Sequence, residues 1–141
     1  MAEGSFALLS ASVATLAVLT TYGDAIRRVG EGRRVHGVKP PSTEGPEAFT
    51  RLLRAQQNVL EFLPLVIPLL WASALTLPVV GGVVTLAAGL AWAWYRKSYI
   101  EGYAEAAEKR LPGFYGSMVA LNVLVGSTVL GCLYRLADIL E

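Results

Sequence analysis

The chain has 141 residues, 54% of them hydrophobic and only 16% charged, with a formal net charge of +1. Its mean hydropathy of +0.49 is too high for an ordinary soluble domain and describes one small membrane domain over residues 1–141. A single cysteine, Cys132, excludes an internal disulfide framework, and no His or Cys cluster suggests a metal site. Near-neutral charge without a basic patch interleaved with aromatics gives no case for nucleic acid.

Apolar runs of roughly 18 or more residues mark spanning helices. Four can be drawn, at about 5–26, 47–75, 80–109 and 111–135, predicting an all-α integral membrane four-helix bundle. The first follows a Met-Ala-Glu-Gly leader without a positive n-region, so a cleaved signal peptide is not expected. Residues 27–47, RRVGEGRRVHGVKPPSTEGPE, read as a polar loop restricted at Pro40-Pro41, with Arg27, Arg28, Arg33, Arg34 and Lys39 as topogenic or headgroup cations. His36 reads as a loop residue, because nothing supplies it with a second ligand or catalytic partner.

The second helix is expected to start near Pro46 or Phe49, with Ser42, Thr43 or Glu47 satisfying free amides. It opens on the stretch that gives the chain its chemistry, RLLRAQQNVLEFLP over 51–64. Arg51, Arg54, Asn58 and Glu61 recur at i, i+3, i+7 and i+10, which at about 100° per residue confines them to a sector of about 80°. Charge at the mouth of an apolar helix is costly: insertion scales put a mid-bilayer charge at about 2.5–3.5 kcal/mol, less where an arginine snorkels to the interface. A purely structural use is an internal ion pair of Arg51 or Arg54 with Glu61. Pro64 and Pro68 each remove a helical hydrogen bond and predict bending beyond Glu61.

Residues 76–82, TLPVVGG, read as a tight uncharged turn. The third helix then continues from its apolar part into RKSYIEGYAEAAEKR, where Arg96, Tyr99, Tyr103 and Arg110 fall at i, i+3, i+7 and i+14, a sector of about 60°. An aromatic belt with flanking cations is the plain reading of such a stripe. Pro112 and Gly113 mark the turn into the fourth span. There Asn122 and Ser127 read as interhelical hydrogen-bonders and Cys132 as a small packing residue. Both cation-rich connections fall on one side of a four-span topology, which the positive-inside rule makes cytosolic, with both termini across the membrane.

Two stripes combining cations with Asn, Glu and tyrosine hydroxyls suit a small polyanion that also carries an ammonium group. Glutathione has that pattern, and a nearby guanidinium favours its thiolate, the free thiol having a pKa of about 8.5. An anionic lipid headgroup satisfies the same arginines.

RLLRAQQNVLEFLP and YIEGYAEAAEKR, in this order and at this separation, together with the KPPSTEGPEAF approach, resemble the MAPEG family of membrane-associated proteins in eicosanoid and glutathione metabolism. The similarity is closest to its leukotriene C synthase and microsomal glutathione transferase branches. The resemblance implies a homotrimer of four-helix subunits that binds glutathione as co-substrate between neighbours, near the cytosolic face. It implies conjugation of glutathione to a lipophilic electrophile, or reduction of a lipid hydroperoxide. Arg54, Asn58, Glu61, Arg96, Tyr99 and Tyr103 match its glutathione-binding positions, and Arg33 and Gln56 match positions lent by the adjacent subunit. Arg110 matches the arginine that stabilises the thiolate, and Arg34 one that assists at the electrophile. Phe62 departs from the pattern, since leukotriene C synthase has a tyrosine there; one hydrogen bond, about 0.5–1.5 kcal/mol, is forgone. The membrane implied is the endoplasmic reticulum or nuclear envelope in a eukaryote, or a bacterial inner membrane. A scaffold of another class, a non-catalytic lipid-binding protein resembling 5-lipoxygenase-activating protein, is the alternative; retention of Arg54, Glu61 and Arg110 together argues against it.

Overall fold

The structure is a computed structural model that describes residues 2–77 and 79–141, with side chains from residue 4 onward. Met1 of the leader and Pro78 of the expected 76–82 turn lie outside the described residues. Helices α1 (Ala2–His36), α2 (Glu47–Thr76), α3 (Val79–Glu105) and α4 (Leu111–Leu140) follow one another, with a 3-10 turn at Glu108–Arg110 leading into α4. All four are long and apolar enough to cross a membrane. The protein is an all-helical integral membrane protein, as its composition requires.

Several expected boundaries are corrected. The loop over 27–47 shrinks to 37–46, because α1 continues to His36. Charges spaced at helical intervals make that possible: Asp24 pairs with Arg27 at 2.6 Å and with Arg28 at 2.7 Å, and Arg27 pairs with Glu31 at 2.5 Å. Each such pair is worth only about 0.3–0.5 kcal/mol, enough to favour helix where nothing opposes it. The end is specified by Gly37 at φ +66°, and the Val38 amide donates back to Arg33 O at 3.0 Å, a Schellman closure. The 76–82 turn is likewise shorter: α3 begins at Val79, and Gly81 and Gly82 are buried within its first turns. At the start of α2 the residue before the helix is Pro46, and no side chain caps the free amides, so the expected role of Ser42, Thr43 or Glu47 is not seen. The helix runs unbroken through Pro64 and Pro68.

The layout puts α2 and α3 at the centre, α1 against one side of the pair and α4 against the other; α1 and α4 do not touch among the described residues. Small and branched residues around the large Trp92 make the seams: Ala14, Val18, Ala55, Val59, Leu70, Ala120 and Leu124 are buried together with it. Some polar side chains inside find partners on a neighbouring helix, Ser73 Oγ donating to Ser127 Oγ at 2.8 Å and Thr85 Oγ1 to Leu70 O at 3.2 Å. Ser127 thus joins helices as expected. Asn122 does not: it is exposed on the outer face with no hydrogen bond among the described residues, and Cys132 is exposed there too. Leu9, Leu16, Trp94, Val119 and Leu130 also face outward, an apolar exterior that only a hydrocarbon surrounding makes economical.

Candidate functional site

The first turns of α2 and α4 and the last turns of α3 meet at one end of the bundle and enclose a cavity of about 280 Å³ lined by Arg54, Asn58, Tyr99, Tyr103, Arg110, Leu111, Phe114 and Tyr115. Five of the residues expected from the two stripes, Arg54, Asn58, Tyr99, Tyr103 and Arg110, are therefore brought together. Arg110 arrives by a route that helical periodicity does not describe. The third helix stops at Glu105 rather than continuing to 109, and the chain doubles back so tightly that a Cβ on Gly102 would strike the carbonyl of Lys109. The Ala106 amide closes the helix on Gly102 O at 3.0 Å. Arg110 then donates from Nη1 to Ala107 O and lays its guanidinium 4.9 Å from the centre of the Tyr103 ring.

The approach of α4 to α3 depends on Gly113, which is buried against the backbone of Tyr95 and Tyr99. That contact turns Phe114 and Tyr115 into the cavity wall. Neither was singled out from the sequence; the only signal was their position directly after the Pro112-Gly113 pair.

Arg96 lies under the floor. It is fully buried, its Nη1 donates to Asn58 Oδ1 at 2.7 Å, and its Cζ is 4.1 Å from the Phe62 ring centre, with Trp92, Tyr99 and Phe114 at 5.2, 5.2 and 5.6 Å. Phe62 thus covers the buried cation in place of offering a hydroxyl. Glu61 is exposed beside the cavity and accepts from Asn58 Nδ2 at 3.3 Å. The internal pair of Arg51 or Arg54 with Glu61 is not formed: Arg51 pairs with Glu47 at 2.7 Å and donates to Ala104 O, and Arg54 donates to Gln57 Oε1 at 3.2 Å. The exposed Arg54 and the half-buried Arg110 therefore face the cavity without a carboxylate partner among the described residues, the electrostatic condition for taking an anion.

Three expected residues stand away from this cavity within the chain. Gln56 donates from Nε2 to the Tyr22 hydroxyl of α1 at 3.0 Å, on the side of α2 opposite α4. Arg33 donates to Ser42 O at 2.8 Å and lies 5.2 Å from the Phe49 ring, holding the 37–46 loop against α2. Arg34 is exposed near the end of α1.

Comparison with known proteins identifies the family. The sequence profile of the MAPEG family matches residues 6–130. Microsomal glutathione S-transferase 2 of Mus musculus is 43% identical over 108 residues, 77% of this chain and 71% of the relative. Leukotriene C4 synthase of Bos taurus is 38% identical over 126 residues, 86% of this chain and 82% of the relative. An uncharacterized protein of Synechocystis is 35% identical over 136 residues, 94% of each chain. A profile match across most of the sequence, carried by the same helices that build the cavity, means that this chain belongs to the MAPEG family.

Proposed function

We propose that the protein is a membrane glutathione transferase that joins glutathione to lipophilic electrophiles entering from the bilayer. The observation that carries this reading is the convergence of Arg54, Asn58, Tyr99, Tyr103 and Arg110 on one cavity at the end of an apolar bundle. It is supported by relatives named microsomal glutathione S-transferase 2 and leukotriene C4 synthase. In this reading Arg54 takes a glutathione carboxylate, Glu61 its ammonium, and the tyrosine hydroxyls and Asn58 its peptide groups. Arg110 stabilises the thiolate by opposite charge, the proton leaving to water. The sulfur lone pair then forms a C–S bond to the electrophilic carbon while that carbon's leaving group departs with its electron pair, or, in an epoxide, the C–O bond breaks with its pair going to the oxygen, which takes a proton from water; Arg34 assists at that oxygen. With a lipid hydroperoxide, two glutathiones give the disulfide, the lipid alcohol and water. Holding both partners at the bilayer edge supplies proximity, and the stabilised thiolate supplies the nucleophile.

The reading places the cavity on the cytosolic face of a homotrimer, with Arg33 and Gln56 serving a neighbour's site. The test is the thiolate absorbance change on adding reduced glutathione to the purified protein in detergent, before any acceptor. A saturable signal at neutral pH is expected. Its absence from a folded, trimeric preparation would end the transferase reading in favour of a lipid-presenting scaffold.

A further inference from the structure

Arg96 is an expensive residue where it stands. It is fully buried, its Nε and Nη2 have no hydrogen-bond partner, and it forms no ion pair among the described residues. Four aromatic rings surround it and its one hydrogen bond goes to Asn58 Oδ1. A desolvated cation with so little compensation is disfavoured against an apolar residue of similar volume unless it does something that residue cannot do.

What Arg96 can do follows from its chemistry. A guanidinium only donates, so the Asn58 amide must turn its oxygen toward Arg96. The amide nitrogen is thereby turned the other way, where it donates to Glu61 Oε2 at 3.3 Å. The three residues form a chain of fixed polarity, from a buried cation on α3, through an amide in the cavity wall, to an exposed carboxylate on α2. One Glu61 oxygen is held by Asn58 and the other is left to the solvent side. Without the cation the amide is free to turn over and present its own oxygen to Glu61, which destabilises the carboxylate's position.

We propose that Arg96 is a positioning residue: acting through Asn58, it orients Glu61 to receive the ammonium group of the peptide ligand, without touching that ligand. This rests on the glutathione reading above and adds to it where the specificity for an amine-bearing peptide comes from. The test compares reduced glutathione with its des-amino analogue, in which the γ-glutamyl ammonium is replaced by hydrogen, by calorimetric titration of the purified protein in detergent. Arg96→Met should weaken glutathione about tenfold while moving the analogue by under about threefold, since only the charged hydrogen bond to the amine is lost. Arg96→Lys keeps a donor and should restore part of the discrimination. Equal weakening of both peptides by Arg96→Met, or no weakening of either, overturns the proposal and leaves the glutathione reading intact; a wild-type protein that binds neither peptide removes that reading and this proposal with it. Should Arg96→Met fail to fold, Asn58→Leu breaks the chain at its next link and must lose the same preference for the amine. A leucine variant that keeps the preference, or that weakens both peptides alike, overturns the proposal equally.

Discussion

Arg110 is held at the cavity by two local contacts, the Ala107 carbonyl and the Tyr103 ring. Neither neutralises its charge, so the charge is available to a ligand. Arg54, which faces the same space from α2, has the neutral Gln57 as its one hydrogen-bond partner among the described residues. The two cations differ in what they offer: Arg54 stands one helical turn before Asn58 and two before Glu61, among the groups that suit the peptide's ends, whereas Arg110 sits at the junction of the 3-10 turn and α4, beside Leu111 and Tyr115. The division predicts a split on mutation. Arg110→Ala should reduce the thiolate signal by about tenfold or more while changing glutathione affinity by less than about threefold, since one charge–charge contact is worth roughly a pKa unit or more to the ionised form. Arg54→Ala should do the reverse, weakening affinity with the thiolate amplitude at saturation preserved. Thiolate absorbance and calorimetry on the same preparations check both, and parallel losses in the Arg110 variant would remove its assigned role.

At the scale of elements, the site depends on how closely α4 lies on α3, and Gly113 sets that distance. A side chain there meets the backbone of Tyr95 and Tyr99, which has no rotamer to yield, so Gly113→Val should cost at least the 1–3 kcal/mol typical of overpacking and lower the thermal midpoint in detergent by several degrees. Gly126, on the same helix with open space around it, provides the control: Gly126→Val should leave the midpoint within about a degree. The presence and order of the four helices were legible from hydropathy, because bilayer-length apolar runs have few other readings. The extension of α1 was less legible, since a run of charges suggests a loop; yet the i, i+3 and i+4 alternation of Asp24, Arg27, Arg28 and Glu31, followed by Gly37, carried the helix and its stop. The grouping of Arg110 with Tyr99 and Tyr103 was reached by extrapolating a helix that in fact ends at Glu105, so the juxtaposition holds by way of a fold-back at Gly102. The aromatic cage around Arg96 was not legible, because Phe62, Trp92 and Phe114 are apolar residues in an apolar chain and only packing brings them to one cation.

At the scale of the whole molecule, the charged connections set the topology: the 37–46 loop and the 106–110 turn lie at one end of the bundle, the chain termini at the other. In a Cys132→Ser background, Ser42→Cys should react with a membrane-impermeant maleimide from the cytosolic side alone and Asp138→Cys from the opposite side alone; labelling of both from one side would refute the four-span orientation. The cavity of about 280 Å³ also lies at the small end of ligand sites, and Arg33, Arg34 and Gln56 are turned away from it within one chain. If a neighbour's Arg33 completes each site of a homotrimer, two defective variants should complement one another. An Arg33→Ala subunit still offers an intact Arg54, and an Arg54→Ala subunit still offers an intact Arg33. Random assembly of equal amounts makes about three quarters of the trimers mixed, and a closed ring of three places one whole site in each mixed trimer, so about a quarter of the wild-type glutathione sites should return. A site built within one subunit leaves out Arg33, which is turned away from the cavity in its own chain, so Arg33→Ala alone keeps its sites and the equal mixture keeps about half of them. Counting bound glutathione per subunit in the co-expressed mixture, against each variant alone, separates the two arrangements without any knowledge of the acceptor.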